Sequence, residues 1–208
     1  MMDFSNAKNI VIPEGEVSVI ARGEDVLWRK QIYKRELLYL ESTKTQWIDT
    51  GVVLTSTMDY EFTGSVSDNT VTGWIAGAPT WIGIHKKAGT VAITQASTGN
   101  TYNAVEVNEV FKIGLFGNKA YFNGIETSTL KRNDTHQNYT LFLFAYHHTN
   151  DTGSINSACR MYSFRIWDGG DLVRDFIPVL DWNDRPCMYD SVTNELFYNL
   201  GKQEFLYG

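Results

Sequence analysis

The chain is poor in the features that indicate a zinc site, a disulfide framework or a membrane span. Its 208 residues include two cysteines and four prolines, and they contain no CxxC or HExxH spacing. No apolar run approaches the roughly 20 residues that a membrane helix requires. Cys159 and Cys187 leave two interpretations open: a single disulfide, or two buried thiols in a protein made in a reducing cytosol.

Positive charge is also scarce. The 18 basic residues are outnumbered by 24 acidic ones, which gives a net charge of −6. Nucleic acids and anionic lipids both attract basic surfaces, so we expect neither a nucleic acid nor a membrane as a partner. The first ten residues lack a basic segment followed by an apolar stretch, and we therefore expect no export by the ordinary secretory route.

What the chain does contain favours β-structure. Aromatic residues make up 13% of it, and residues 160–178 read RMYSFRIWDGGDLVRDFIP. In this stretch Tyr162, Phe164 and Ile166 alternate with Ser, Arg and Trp, which predicts a strand with one buried face. The Asp-Gly-Gly-Asp that follows predicts a turn, because glycine accepts a positive φ without a Cβ clash. We expect Phe176 to join the same buried face from the returning strand.

Segments of strand length, separated by turns roughly every 8–12 residues, continue through most of the chain. Asn123-Gly124 is among the strongest of these turn signals, because a type I′ hairpin needs a positive φ at both central positions. We therefore predict an all-β protein in which residues 36–208 form a two-sheet antiparallel β-sandwich of the jelly-roll type. Residues 1–35 are predicted to be a small β-ribbon that serves as an assembly segment, since it is too short to hold a core of its own.

Two separated stretches resemble one family. Residues 39–52 read YLESTKTQWIDTGV, which is similar to an opening of the form YIESTGTQYIDTG, with Lys44 in place of Gly and Trp47 in place of Tyr. The stretch from residue 160 through MYDSVTNELFYN resembles the C-terminal part of the same pattern. From residue 37 to about 205 the chain thus resembles the concanavalin A-like (laminin-G-like) jelly-roll modules found in bacteriophage tail and structural proteins and in gut bacterial surface proteins.

Related sandwich folds include glycoside hydrolases, so a pair of carboxyl groups is the first candidate for a catalytic site. Their strand carries an ExDxxE pattern, and retaining hydrolysis needs two carboxyl groups about 5–5.5 Å apart. Asp59 and Glu61 share one face of a predicted strand, but Gly64 stands where the third acid would fall. The sequence also contains no GxSxG, P-loop or GxGxxG motif. We therefore expect a protein that is not an enzyme and has no catalytic residues.

Sugar binding by aromatic stacking is the remaining candidate chemistry. Trp74 and Trp81 lie in a glycine-rich middle segment and could offer flat rings, with His147, His148 and Asn150 as a polar rim. The alternative interpretation is that both tryptophans belong to the sandwich core and that the histidines lie in loops or at strand ends.

No cofactor is predicted, but one metal is a candidate. Asn150, Asp151 and Asp134 offer oxygen atoms of the kind that calcium prefers, although no EF-hand spacing is present. The resemblance also implies calcium as a candidate, since laminin-G-like folds sometimes bind it.

The resemblance, the missing leader and the missing catalytic acids together favour a virion protein of a bacteriophage, in the tail, baseplate or head surface. Its lectin-like module would bind a host-surface glycan or decorate the particle, and its partners would be other virion proteins and further copies of itself. An alternative is a carbohydrate-binding module of a bacterial surface or secreted protein. A third hypothesis is a glycoside hydrolase or lyase.

Overall fold

The structure is a computed structural model that describes residues 19–22, 25–29, 31–70, 72–95, 102–132, 138–148, 152–154 and 156–208. The chain divides into two compact units, residues 1–32 and 33–208. In the first unit, β1 (Val19–Arg22) and β2 (Asp25–Arg29) pair as an antiparallel hairpin. The earlier part of the predicted N-terminal ribbon lies outside the described residues.

The second unit is built from strands, and none of its described residues is helical. These strands are β3 (Arg35–Glu36), β4 (Leu40–Thr43), β5 (Ile48–Asp49), β6 (Met58–Val66), β7 (Gly73–Ala78), β8 (Ile82–Lys87), β9 (Thr90–Gln95), β10 (Asn103–Ala104), β11 (Phe111–Phe116), β12 (Lys119–Phe122), β13 (Ile125–Thr129), β14 (Phe142–Leu143), β15 (Tyr146–His147), β16 (Gly153–Ser154), β17 (Ala158–Asp168), β18 (Asp171–Leu180), β19 (Pro186–Asp190), β20 (Glu195–Phe197) and β21 (Leu206–Tyr207).

These strands form two sheets. The larger sheet has the order β13-β12-β11-β6-β17-β18-β19-β20, with β4 beside β17, β21 beside β4 and β3 beside β18. The smaller sheet has the order β10-β9-β8-β7-β14-β5, with β15 beside β7 and β16 beside β15. Among the described strands, every pairing is antiparallel except that of β15 with β7. The predicted all-β, two-sheet sandwich is confirmed.

The core lies between the two sheets and takes alternate side chains from each strand. On the larger sheet Phe62, Phe164 and Phe176 are fully buried, and on the smaller sheet Ile75 and Ile84 are fully buried. All five belong to one continuous apolar cluster. The inward positions predicted for Phe164, Ile166 and Phe176 are therefore confirmed, and the alternation that predicted them follows from the two-residue period of a strand.

The structure corrects the inward position predicted for Tyr162. A β-bulge interrupts the pairing of β17 with β6 between Met161 and Ser163, so one extra residue shifts the alternation. Met161 is fully buried in its place. Tyr162 is half-buried and packs against Tyr39, with 5.7 Å between ring centroids.

Lys44, which replaces the glycine of the family pattern, lies in the left-handed region with a φ of 79°. The turn forms nonetheless, because the fully buried Gln46 holds it from within. The Oε1 atom of Gln46 accepts hydrogen bonds from the backbone N–H of Thr43 at 2.8 Å and of Thr45 at 3.2 Å. Its Nε2 atom donates to the carbonyl oxygen of Glu204 at 2.9 Å, which ties the turn to the C-terminal segment.

Cys159 and Cys187 are both free and both buried. Burial raises the pKa of both thiols, that of Cys187 to about 12. Of the two interpretations left open by the sequence, the structure corresponds to two buried thiols.

Candidate functional site

Five rings lie next to one another on the face of the smaller sheet that points away from the core. This aromatic cluster consists of Trp74, Trp81, His85, Tyr102 and Tyr146. The ring centroids of Trp74 lie 5.8 Å from Trp81, 5.1 Å from Tyr146 and 5.1 Å from His85. Those of Trp81 and Tyr146 are 5.6 Å apart, and those of His85 and Tyr102 are 6.5 Å apart.

Trp74 is the buried base of the cluster. It is fully buried, and its approach to the sheet depends on Gly77, where an added Cβ would lie 2.7 Å from the Cε3 atom of Trp74. Among the described residues, nothing accepts a hydrogen bond from its indole N–H. An unpaired buried donor of this kind costs about 1–3 kcal/mol. The apolar surface that Trp74 buries outweighs this cost, since roughly 150–250 Å² at about 25 cal/mol per Å² contributes about 4–6 kcal/mol.

Trp81 is the exposed ring of the cluster, with 54% of its surface open to solvent. It lies in the turn between β7 and β8, where Thr80 has a φ of 68° and Trp81 a φ of 63°. A positive φ is unusual for a β-branched or bulky residue, and residues held in such regions cost about 1–3 kcal/mol each. Conformations of this cost are concentrated at ligand-binding and catalytic sites.

Tyr146 fastens this turn from below. Its hydroxyl oxygen accepts hydrogen bonds from the backbone N–H groups of Trp81 and Thr80. Burial is the larger influence on the Tyr146 phenol and raises its pKa, while these two hydrogen bonds lower it. The exposed indole therefore rests on two rings and on a backbone that is held in one conformation.

The polar side of the cluster runs along β8 towards Tyr102. His85 is half-buried, and burial together with the nearby Lys87 charge lowers its pKa. The Nζ atom of Lys87 lies 5.9 Å from the ring centroid of Tyr102, within reach of a cation–π interaction.

The structure brings together some of the sequence-predicted site residues and separates others. Trp74 and Trp81 are in contact, although Trp74 supports Trp81 and is not itself open to a ligand. His147 belongs to a different ring stack: it is buried against Phe142 at 3.7 Å between centroids, and its Nδ1 lies 2.7 Å from the carbonyl oxygen of Thr140. His148 is exposed, and Asn150 lies outside the described residues.

Sequence reasoning missed Tyr146, His85 and Tyr102. Tyr146 and His147 are neighbours on β15, but the Tyr146 ring contacts Trp74 and Trp81 whereas the His147 ring stacks on Phe142. Choosing between them requires the pairing of Tyr146 with Gly77, which no local pattern reveals. The period-2 signal along β8 does place His85 opposite the buried Ile84, and it could have been used to find that residue.

The two acids considered for catalysis are each held by other groups. Asp59 accepts a hydrogen bond from the backbone N–H of Gly117 at 2.8 Å and lies 3.3 Å from a guanidinium nitrogen of Arg132. Glu61 lies 3.3 Å from the Nζ atom of Lys112. Each of the two acids is therefore in an ion pair with a basic side chain.

In the described ranges, no three His, Cys, Asp or Glu side chains come together as a metal site. The calcium candidates Asp134, Asn150 and Asp151 lie outside those ranges. None of the described residues belongs to a helix that could span a bilayer.

This chain resembles known proteins in structure, whereas neither family models nor curated sequences match it. No family model matches the chain, and no curated protein matches it either. Among solved structures, a crystal structure called a "putative carbohydrate binding protein" from Bacteroides ovatus is similar, with a TM-score of 0.56 and 11% identity. The likeness shows the β-sandwich fold. It covers 84% of this chain and 60% of that one, so this chain spans less than two thirds of its neighbour's length.

Proposed function

We propose that this chain is a non-enzymatic carbohydrate-binding module in which a sugar ring stacks on the exposed indole of Trp81. The observation that carries the proposal is a solvent-exposed tryptophan on a turn with two positive φ values. A fold under selection for stability alone has no reason to place a large apolar ring outward at a backbone position that disfavours it. A ligand that needs a flat apolar face supplies the reason.

The support beneath the ring also suits binding. The ring centroids of Trp74 and Tyr146 lie 5.8 and 5.6 Å from that of Trp81. The indole therefore has little conformational freedom to lose when a ligand binds. A site that is fixed beforehand binds more tightly because less conformational entropy is lost on association. Tryptophan and tyrosine are efficient in such sites, since they offer a large contact area with two side-chain torsions each.

The extent of the cluster favours an oligosaccharide over a single sugar. Trp81 and His85 are four positions apart in the chain, and both contact Trp74, with 5.8 and 5.1 Å between ring centroids. Beyond His85 the cluster continues to Tyr102 and Lys87. The Trp81 end is apolar, and the far end offers hydrogen-bond donors and a positive charge.

We infer that the module acts on a bacteriophage particle, where it binds a host-surface glycan. The sequence resemblance of residues 39–52 and 160–199 to phage structural modules supports this role. Residues 1–35 would then join the module to other virion proteins or to further copies of the chain. Labelling of purified particles by an antibody against the chain tests this assignment.

A second candidate is a carbohydrate-binding module of a bacterial surface or secreted protein. The likeness to a Bacteroides ovatus structure favours it. Finding the chain on bacterial cells in the absence of phage would select this role over the first. In either setting no cofactor is required, and glycan binding that is lost on calcium chelation would assign a role to that ion.

The binding function is tested on a glycan array with the whole chain and two variants. Trp81→Ala removes the proposed stacking ring. Trp182→Ala is a matched control, because Trp182 is 63% exposed and lies in the turn after β18. We expect Trp81→Ala to weaken binding at least about tenfold, which is 1.4 kcal/mol, and Trp182→Ala to leave it unchanged. Equal binding by the wild type and Trp81→Ala would refute this site.

A further inference from the structure

The larger sheet carries a pocket on its own outward face, on the side of the sandwich away from the aromatic cluster. It has a volume of about 270 Å³ and is formed by β6, β11, β12 and the turn after β12. Glu61, Lys112, Gly114, Phe116 and Tyr121 line it. It faces solvent because the alternating neighbours of these residues on β6 and β11 are buried in the core.

The floor of this pocket is bare backbone at Gly114. A Cβ at this position would lie 2.9 Å from the Cε2 atom of Phe116 and 3.0 Å from the carbonyl oxygen of Tyr60. Any side chain there would force Phe116 to move. Glycine in the middle of a strand weakens it and often marks a place where a ligand approaches the backbone closely.

One wall of the pocket is aromatic. The Phe116 ring lies 6.1 Å from Tyr121, edge to face, and 5.3 Å from Trp167 on β17. All three rings are half-buried on the outer surface of the sheet, where polar side chains are the usual occupants. Phe116 and Tyr121 therefore give the pocket an apolar side, and Trp167 packs against Phe116 outside the pocket lining.

The opposite wall is an ion pair. The Nζ atom of Lys112 lies 3.3 Å from Glu61 Oε1, and the lysine side chain is 49% exposed while that of the glutamate is 16% exposed. A carboxylate accepts hydrogen bonds and an ammonium donates them. A ligand with hydroxyl groups can therefore donate to Glu61 and accept from Lys112. The two charges cancel, which favours a neutral ligand over an anionic or cationic one.

We propose that this pocket is a second carbohydrate site, which holds one neutral sugar ring between the Phe116–Tyr121 wall and the Glu61–Lys112 pair. The inference rests on the proposed function for the class of ligand, but on separate residues. The two sites then lie on opposite outer faces of the sandwich. One copy of the chain could bridge two glycan chains, and the second contact would add avidity without any new interaction.

The experiment follows sugar binding by NMR of the whole chain, with glucose, galactose, mannose, N-acetylglucosamine and N-acetylgalactosamine as probes. The backbone amide signals of Gly114 and Gly124 report the pocket, and the indole N–H signal of Trp81 reports the aromatic cluster. We expect at least one sugar to shift the glycine signals with a dissociation constant on the order of 1 mM. The same shifts should persist in Trp81→Ala and disappear in Tyr121→Ala.

Two further variants secure the interpretation. Lys112→Ala changes an exposed side chain and should weaken the glycine response at least fivefold with the fold intact, and Tyr207→Ala serves as a control at an exposed tyrosine on β21. Sugars that shift the Trp81 signal but never the glycine signals would overturn the second site and leave the proposed function standing. Glycine shifts without any Trp81 response would support the pocket and refute the first site. If no sugar shifts either the glycine signals or the Trp81 signal, both proposed sites are refuted.

Discussion

Two substitutions of Trp81 distinguish the free-energy cost of backbone strain from that of lost side-chain packing. Replacing Trp81 by Ala or by Gly removes the same indole, but only glycine is free of a Cβ at the φ of 63° that this position adopts. At most positions a glycine variant is less stable than the alanine variant by about 0.5–1 kcal/mol. At Trp81 we expect the reverse order, because alanine retains the left-handed strain and glycine does not.

The magnitudes follow from exposure and backbone geometry. Trp81 is 54% exposed, so somewhat less than half of the roughly 150–250 Å² that a tryptophan can bury is lost in either variant, about 100 Å². At about 25 cal/mol per Å² this lowers the free energy of unfolding by about 2.5 kcal/mol. The left-handed strain retained by alanine is about 1–2 kcal/mol. After the entropic cost of glycine, about 0.5–1 kcal/mol, Trp81→Gly should be more stable than Trp81→Ala by about 0.7 kcal/mol at mid-range and by about 1.5 kcal/mol at most.

Thermal unfolding of the two variants measures this difference. For a chain of this length it corresponds to roughly 1–4 °C in melting temperature, with Trp81→Gly the higher. The same pair at Trp182, whose φ is not positive, gives the control, and there alanine should be the more stable. Trp81→Gly melting below Trp81→Ala by the margin seen at Trp182 would show that the turn is unstrained. The main argument for a functional platform would then be lost.

Two further predictions concern the register of β17 and the titration of His85. Phe164→Ala should lower the free energy of unfolding by about 3–5 kcal/mol. Tyr162→Ala should lower it by much less, because the bulge turns Tyr162 out of the core. Similar losses for the two variants in urea titrations would contradict that register. Burial lowers the pKa of His85 below the unfolded value of about 6.5, so its contribution is present above that pH and is lost as the pH falls below it. His85→Gln should flatten the decline in unfolding free energy between pH 7 and 5, and an unchanged slope would count against a buried neutral imidazole.

Periodicity was sufficient for the fold because the core faces alternate regularly over most of β17 and β18. It failed at Tyr162, where one inserted residue reverses the alternation. Nothing in the local sequence marks the bulge, since it arises from how β17 pairs with β6. A bulge between Trp74 and Ala76 on β7 has the same effect on the pattern of the smaller sheet.

Only part of the candidate site was predictable, because the burial of each tryptophan depends on residues that are distant in the sequence. Both tryptophans stand near glycines in strand-like surroundings, and only the tertiary structure decides which is buried. Trp74 is covered by rings that arrive from β8 and β15, whereas Trp81 is turned outward by a short turn with left-handed residues. Local sequence would not favour a positive φ at Thr80 or Trp81, so the exposure of Trp81 could not be inferred from it.

The two stretches that carry the sequence resemblance are in contact with each other, and neither contains a residue of the aromatic cluster. Glu41 on β4 pairs with Arg160 on β17, and their side chains form an ion pair at 2.9 Å. The Arg160 guanidinium also lies over the Tyr39 ring at 4.8 Å. Residues with such mutual constraints cannot change singly without loss of stability. Trp81 lies outside both stretches, on a turn where its ring contacts Trp74 and Tyr146, so the proposed stacking ring there can change while the sandwich is retained.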